Sequence, residues 1–336
     1  MRLRYIIALS IALIAMACQS KTKEDKQILI IQCGTTQSTT HEVVPSEDRP
    51  TTEYEPGTRR MKRVVGSFSE IRNIETLNYV IDHYWDDFDY ECGERVIAYD
   101  TVDICQALVD YSSILLATGD LSPMRNFIAR AEASRPVLDF LMTISDMVLH
   151  DPNSPMHNDE LYIPILEYLV ECPLLDEYDR MIPEHDLYIA RQNRLWHLSN
   201  DIAYTTADGK HHRLHDIPAD YTLLMFNNPD CPMCREIIDE IIASPLLNEM
   251  QELGLLKVVA IYPDEDLEAW YRYLDKMPRR WIVGYDEGLK ISEERSYDLR
   301  AIPSLYLLDR GKRVLVKDGV DVVYIEDVIA MAESQM

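Results

Sequence analysis

The sequence predicts an all-α helical domain followed by an α/β domain that is built on a mixed sheet. Apolar residues recur at helical spacing between residues 67 and 199, whereas from residue 200 to residue 336 short apolar runs alternate with helical stretches. A chain of 336 residues that is 47% hydrophobic and 27% charged has a globular composition and is long enough for two such domains.

Residues 1–17 have the pattern of a secretory signal peptide. Arg2 and Arg4 precede an apolar run that ends at Ala17 and is too short to span a bilayer comfortably as a mature helix. The segment resembles a bacterial lipoprotein signal, which implies that Cys18 is lipidated after cleavage. We therefore expect a membrane-anchored protein of the cell envelope: an outer-membrane lipoprotein that faces the periplasm, with the cell surface as a second location. An ordinary signal peptide or a retained anchor is the alternative.

Two segments separate this leader from the α/β domain. Residues 18–66 are rich in Ser, Thr, Pro and charged residues, which bury little surface, so we predict a flexible tether. Residues 67–199 are predicted to form a domain of about five helices without an internal repeat. The helical stretches are residues 71–88, residues 102–116, a helix that starts at Ser122-Pro123, residues 161–170 and residues 187–198.

Strands and helices alternate in residues 200–336. Asp208-Gly209 is a strong hairpin signal between two short strands. The predicted strands are residues 202–206, 211–214, 221–226, 256–262, 281–284, 304–308 and 314–317, and the predicted helices are residues 232–253, 267–277 and 325–330. This order predicts a mixed sheet with both faces covered.

The seven cysteines fall into three groups. Cys18 is assigned to lipid, and Cys231 and Cys234 form a CxxC pair. The other four are Cys33, Cys92, Cys105 and Cys172. In an exported protein these four thiols can pair in three ways, and the sequence leaves the pairing open. Cys105 and Cys172 lie in apolar helical stretches, and we interpret them as buried free thiols.

The motif Cys231-Pro232-Met233-Cys234 lies where a predicted strand meets a predicted helix. Only a thiolate attacks a disulfide, and the unpaired N–H groups and the dipole of a helix N-terminus stabilise a thiolate. Pro232 suits the first helical turn, where its missing N–H costs nothing. We predict that Cys231 attacks a disulfide from the exposed tip of the helix and that Cys234, one turn behind it, resolves the mixed disulfide.

A CxxC motif can also be half of a zinc site, which needs about four ligands. The nearest candidate ligands are His211, His212 and His215, which we interpret as exposed residues of a hairpin and its loop, so we expect no metal. A disulfide that is only structural, or a redox domain that has lost activity, is the other alternative.

Four features of residues 200–336 occur together. They are the hairpin Asp208-Gly209-Lys210, the motif Cys231-Pro232-Met233-Cys234 after a strand, Ala301-Ile302-Pro303-Ser304 before a strand, and Asp309-Arg310-Gly311-Lys312. Together they resemble the thioredoxin superfamily, and in particular its envelope-tethered, TlpA-like thiol–disulfide oxidoreductases. The resemblance implies a thioredoxin-like fold for this part of the chain and no cofactor.

The same resemblance implies roles for individual residues. Cys231, Cys234 and Pro303 are the implied catalytic residues, with a cis peptide bond before Pro303 that places the proline against the cysteines and helps to exclude metal. The residues implied to contact the substrate chain are Ile302, Pro232 and Met233.

Two positions depart from the family pattern. Where relatives have a buried Asp or Asn that assists deprotonation of the second cysteine, this chain has Met225. Where many relatives have Trp before the first cysteine, it has Asp230, and a carboxylate beside a thiolate opposes the helix dipole. The redox poise of the pair is therefore open.

Two functional hypotheses follow. The first is a thiol–disulfide oxidoreductase that reduces or isomerises exported proteins and takes electrons from an unidentified membrane-borne donor. The second is an envelope interaction module in which the thioredoxin-like domain is a scaffold with a structural disulfide. The helical segment resembles the domain of unknown function that precedes thioredoxin-like domains in Bacteroidetes lipoproteins and assigns no chemistry. With 58 acidic against 33 basic residues and a net charge of −25, we expect no nucleic-acid partner.

Overall fold

The computed structural model of the protein describes residues 56–63 and 74–334. The predicted signal peptide, Cys18 and Cys33 lie outside these residues, as does the predicted tether apart from residues 56–63. Within the described part of the chain, no helix has both the length and the apolar character that a membrane span requires.

The described chain divides into two compact units with the boundary after Val148, and residues 74–148 of the first unit are mainly helical. Its elements are α1 (Ile74–His83), a 3₁₀ helix (Gly93–Ala98), α2 (Thr101–Thr118), α3 (Pro123–Ala129), a 3₁₀ helix (Arg130–Ala133) and α4 (Arg135–Ser145). The Asp100 carboxylate caps α2 by accepting the Val102 N–H, and Gly119 ends that helix in the left-handed region at φ 76°. Trp85 is buried and stacks 4.5 Å from the ring of Phe127.

The second compact unit comprises residues 149–336 and begins with two helices. They are α5 (Asp159–Leu169) and α6 (Glu177–Ala190). A capping box starts α6, because the Asp176 carboxylate accepts the Asp179 N–H while the Asp179 carboxylate accepts the Asp176 N–H. Between residues 74 and 190 the described chain thus has six α-helices, where the sequence predicted about five.

The predicted helix over residues 187–198 is wrong for its larger part, because α6 ends at Ala190. Beyond it, Asn193 and Trp196 adopt positive φ angles of 49° and 67°, which an α-helix does not contain. The Trp196 N–H donates to the carbonyl oxygen of Val314 (2.7 Å), so this segment takes its backbone partners from a strand instead of from a helical turn.

A seven-stranded mixed sheet forms the centre of the second unit. Its strands are β1 (Ala203–Thr206), β2 (His211–Arg213), β3 (Tyr221–Phe226), β4 (Leu256–Tyr262), β5 (Ile282–Tyr285), β6 (Ser304–Leu308) and β7 (Val314–Gly319). The strand order is β2-β1-β5-β4-β3-β6-β7. β4 is parallel to both β3 and β5, and the other neighbouring pairs are antiparallel. The mixed sheet predicted from the sequence is confirmed.

Helices and loops cover both faces of this sheet, as predicted. The helices are α7 (Pro232–Ala243), α8 (Pro245–Glu252), α9 (Leu267–Tyr273), α10 (Lys290–Glu293) and α11 (Val322–Glu333). Successive side chains of β3 point to opposite faces, so Leu223 and Met225 enter a core with α7, α8 and α11, whereas Leu224 and Phe226 enter a core with Tyr297 and Tyr306.

The predicted single helix over residues 232–253 is in fact two helices. The break falls at Ser244-Pro245, because a proline inside a helix removes an N–H donor and clashes with the preceding turn. The Ser244 side chain then caps α8 by accepting the Leu247 N–H (3.0 Å). The short helix α10 was not predicted.

The described cysteines form no disulfide. Cys92, Cys105, Cys172, Cys231 and Cys234 are all free thiols. Cys172 is buried, as predicted, whereas Cys105 is only half-buried.

Candidate functional site

Cys231 occupies the N-cap of α7, between the end of β3 and the first helical turn. Its backbone is extended (φ −86°, ψ 115°), and Pro232 takes the first helical position. The Cys234 N–H donates to Sγ of Cys231 at 3.1 Å, so the sulfur takes the place that a Ser or Asp oxygen usually has at an N-cap. A helix N-terminus thus points one of its free donors at the half-buried Cys231 sulfur.

Cys234 lies one turn further along α7 and is fully buried. Burial raises the pKa of its thiol to about 12, and the hydrogen bond to Cys231 acts in the same direction. The Asn228 N–H donates to Sγ of Cys234 (3.5 Å) and opposes this shift. At neutral pH Cys234 is therefore a protonated thiol behind the half-buried Cys231.

The loop before β6 brings Pro303 to the cysteines. The Ile302–Pro303 peptide bond is cis, as the family resemblance implied. The Cys231 thiol donates to the carbonyl oxygen of Ile302 (Sγ···O 3.5 Å), which places this loop directly against the first cysteine. The structure therefore brings Cys231, Cys234 and the Ile302–Pro303 peptide together.

An ion pair anchors the same loop. The Arg300 guanidinium contacts both carboxylate oxygens of Asp298, at 3.0 Å and 2.6 Å, and the Arg300 N–H donates to the same carboxylate. Burial acts to raise the pKa of Asp298, but the Arg300 guanidinium outweighs it and holds that pKa below its usual value. The carboxylate is thus ionised at neutral pH and fixes the chain just before Ile302.

Met233 and Pro232 form an exposed rim next to this centre. Met233 is 53% exposed although it is apolar, and Pro232 is also exposed. Pro232, Met233 and the half-buried Ile302 are the three residues predicted to contact a substrate chain. The first two lie at the tip of α7, and Ile302 lies on the loop that faces it.

The two departures from the family pattern have different surroundings. Met225 is fully buried in β3 and belongs to the same core as Cys234. The largest influences on the pKa of Cys234 are its burial and its hydrogen bond with Cys231, both of which raise it. Asp230 is exposed at the mouth of a groove that also contains Cys231.

That groove was not predicted from the sequence. It has a volume of about 580 Å³ and lies between α7 and α9. Its charged lining residues are Asp230, Arg235, Glu236, Asp239, Arg272 and Lys276. Arg272 and Lys276 come from a part of the chain that carries no motif, and only the packing of α9 places them beside the cysteine.

The three histidines considered as zinc ligands have other partners. His211 contacts Thr205 (3.0 Å) and Glu287 (3.2 Å) at the sheet edge, His212 stacks on the ring of Tyr204 (centroids 5.4 Å apart), and His215 contacts the Ser199 hydroxyl (3.1 Å). None of these contacts involves Cys231 or Cys234.

Comparison with known proteins identifies the family. A thioredoxin-like protein of Bacteroides caccae is 33% identical, and the match covers 81% of this chain and 99% of that one, with a TM-score of 0.75. This chain belongs to the thioredoxin-like family. The seven-stranded sheet with its flanking helices is the thioredoxin-like part, and the helical region precedes it.

Other matches cover parts of this thioredoxin-like chain. The C-terminal domain of an uncharacterized protein from Bacteroides fragilis is 43% identical over 41% of this chain and 98% of its own, with a TM-score of 0.40. The thioredoxin domain of a thiol-disulfide oxidoreductase from Bacteroides vulgatus is 17% identical over 42% of this chain and 96% of its own, with a TM-score of 0.36. A domain of unknown function, DUF5106, matches residues 69–193. No curated protein matches the chain.

Proposed function

We propose that this thioredoxin-like protein is a thiol–disulfide oxidoreductase, a reductase or isomerase of exported proteins that acts through Cys231 and Cys234. The observation that carries the proposal is the unequal placement of the two thiols. Cys231 is half-buried at a helix N-terminus with an N–H aimed at its sulfur, whereas Cys234 is buried behind it.

The chemistry is a two-step exchange. The Cys231 thiolate attacks one sulfur of a client disulfide, forms a mixed disulfide and expels the other client sulfur as a thiolate, which takes up a proton. Cys234 then loses its proton and attacks Sγ of Cys231, which forms the Cys231–Cys234 disulfide and releases the second client thiolate. The client gains two electrons and the protein loses two, so a reductase needs an electron donor to reduce the pair again, and we propose that this donor is membrane-borne.

The surroundings of the pair suit a protein client. The exposed Pro232 and Met233 offer an apolar rim to an extended chain, and the Ile302 backbone lies within 3.5 Å of the Cys231 sulfur, where it can pair with that chain. The cis Ile302–Pro303 peptide contacts Cys231 through the Ile302 carbonyl oxygen, which supports the proposal that Pro303 helps to exclude metal from the thiols.

Trapping of mixed disulfides tests the proposal. In Cys234→Ser the first step proceeds while the resolving thiol is absent, so mixed disulfides with clients should accumulate on non-reducing gels, at least tenfold above wild type. Cys231→Ser should trap almost none, because Cys234 is buried. Cys105→Ser, a half-buried thiol of the helical region, is the matched control and should behave like wild type. Equal trapping by Cys231→Ser and Cys234→Ser, or none by either, would contradict the proposed roles.

We also propose that the protein acts in the cell envelope, tethered through lipid on Cys18. The support is the leader that ends at Ala17, and the prediction is that Cys18→Ser abolishes incorporation of labelled fatty acid and releases the protein from the membrane fraction. Cys33→Ser is the control, since Cys33 lies close by in the sequence but does not follow the apolar run. Undiminished lipid labelling of Cys18→Ser would refute the assignment.

A further inference from the structure

The groove between α7 and α9 has two unlike walls. The α9 wall consists of Ala269, Arg272 and Tyr273 from α9 together with Lys276, which ends the 3₁₀ helix (Leu274–Lys276) that follows α9 directly. It carries two cations and no acid. The α7 wall is mixed, because Asp230, Glu236 and Asp239 accompany Arg235 there.

The cations of the α9 wall are available to a ligand. Arg272 and Lys276 are exposed, and neither forms a salt bridge with a described residue. Arg272 Nε donates to the carbonyl oxygen of Glu268 (3.3 Å), and Lys276 Nζ lies 5.2 Å from the centre of the Tyr273 ring, so neither charge is neutralised by a carboxylate. By contrast, Arg280 just beyond them faces Glu252 at 3.8 Å. Tyr273 lies between the two cations in the sequence and is buried, so the wall has an apolar base.

This wall is unusual in a chain whose formal net charge is −25. The overall field of such a protein repels acidic ligands, and long-range repulsion is overcome only where local cations lie close to the bound group. Cys231 lines the same groove as Arg272 and Lys276, so a client that brings its cysteine to Cys231 lies at the groove that these two cations line.

We infer that the α9 wall selects protein clients that carry an acidic side chain next to the cysteine that Cys231 attacks. This inference rests on the proposed function and adds the class of client to it. The client carboxylate pairs with Arg272 and Lys276 while the client sulfur meets Cys231. The exchange itself is unchanged: the Cys231–client bond forms, the second client sulfur leaves, and Cys234 then releases the client.

Short blocked peptides test the inference. The peptides have a single cysteine and differ only in the residues beside it, which are Glu, Gln or Lys. Each cysteine is joined by a disulfide to 2-thiopyridine. Attack by the protein releases 2-thiopyridone, which is followed by its absorbance. At low ionic strength the wild-type protein should react roughly two- to tenfold faster with the Glu peptide than with the Gln peptide. Salt that shortens the Debye length from about 30 Å to about 3 Å should bring the two rates together.

Two double variants locate the effect. R272Q/K276Q should remove the preference for the Glu peptide or reverse it, since the net negative charge then dominates. R279Q/R280Q changes the net charge by the same amount on exposed residues outside the groove and should keep the preference. Thermal unfolding monitored by circular dichroism checks that both variants fold.

The remaining outcomes separate the two proposals. Equal rates with the Glu and Gln peptides, fastest reaction with the Lys peptide, or a preference that survives in R272Q/K276Q would overturn the inference and leave the proposed function intact. If protein with both thiols reduced releases no 2-thiopyridone from any of the peptides, the proposed function fails and the inference fails with it.

Discussion

Cys231 and Cys234 lie one helical turn apart at the start of α7 but have different surroundings. The Cys231 sulfur accepts an N–H at the helix N-terminus, which favours a negative charge on it. Cys234 is fully buried and faces a core that includes Met225 in place of an acid. Burial therefore dominates its ionisation, and we expect the small thiolate fraction of Cys234 to limit the second step of the proposed exchange near neutral pH.

This difference predicts a steep pH dependence for the second step. The Cys234 pKa is raised to about 12, mainly by burial, which persists when Cys231 is in a mixed disulfide. Below that pKa the thiolate fraction of Cys234 rises about tenfold per pH unit. The rate of resolution should therefore also rise about tenfold per pH unit between pH 6 and about pH 9. With 2,2′-dithiodipyridine as the substrate, the second equivalent of 2-thiopyridone measures this step at a rate independent of reagent concentration.

The control for that measurement is Cys234→Ser, which should lack the release that is independent of reagent concentration, because no thiol resolves the mixed disulfide on Cys231. A resolution rate that levels off near pH 7 would mean that a group other than burial sets the ionisation of Cys234.

At the scale of elements, local signals determined most of the second unit. Strands β3 and β4 have the predicted bounds, because apolar runs that are buried on both faces and bounded by turns are unambiguous. The break between α7 and α8 was missed although Ser244-Pro245 encodes it locally, since the apolar periodicity continues across the proline. Residues 191–198 were wrongly predicted as helix because their partners lie on β7, far away in the sequence.

In the candidate site, as in the fold, the residues that form local patterns were predicted and those that depend on contacts between distant segments were not. Cys231 and Cys234 were chosen because a CxxC motif between a strand and a helix is a local pattern, and Pro303 was chosen through the resemblance to the thioredoxin superfamily. The cationic wall of Arg272 and Lys276 was not, because these residues become significant only when α9 packs beside α7. The proposed reactive thiols belong to a contiguous sequence motif, whereas the residues proposed to select a client come together only through tertiary packing.

For the whole molecule, buried tyrosines are a common feature of both units. Burial raises the pKa of Tyr204 to about 12, and it raises the pKa values of Tyr297 and Tyr306 above their usual value as well. Tyr306 is fully buried, and its hydroxyl has no hydrogen-bond partner among the described residues. The Tyr297 hydroxyl, in contrast, donates to the carbonyl oxygen of Asn200 at 2.8 Å.

These tyrosines predict cooperative unfolding at alkaline pH. Each folded-state pKa lies above the unfolded value of about 10, so the stabilisation is complete below pH 10 and is lost as the pH rises above it. Because each such tyrosine ionises first in the unfolded chain, it lowers the free energy of unfolding by about 1.4 kcal/mol per pH unit in that range. The ionised tyrosines also add negative charge to a chain whose formal net charge is already −25. Tyrosinate absorbance should therefore rise in the same step in which the circular dichroism signal is lost.

Tyr306→Phe provides the decisive comparison. It removes a hydroxyl that has no partner, so the free energy of unfolding at pH 7 should be unchanged or slightly higher, and its decrease above pH 10 should be smaller by about 1.4 kcal/mol per pH unit. Tyr297→Phe removes a hydroxyl that donates a hydrogen bond and should cost about 1 kcal/mol at pH 7. Denaturant unfolding of both variants at pH 7 and above pH 10 measures these differences.

If tyrosinate absorbance instead rose gradually around pH 10 with no loss of structure, the hydroxyls would be accessible to solvent in the folded protein, contrary to the packing around Phe226.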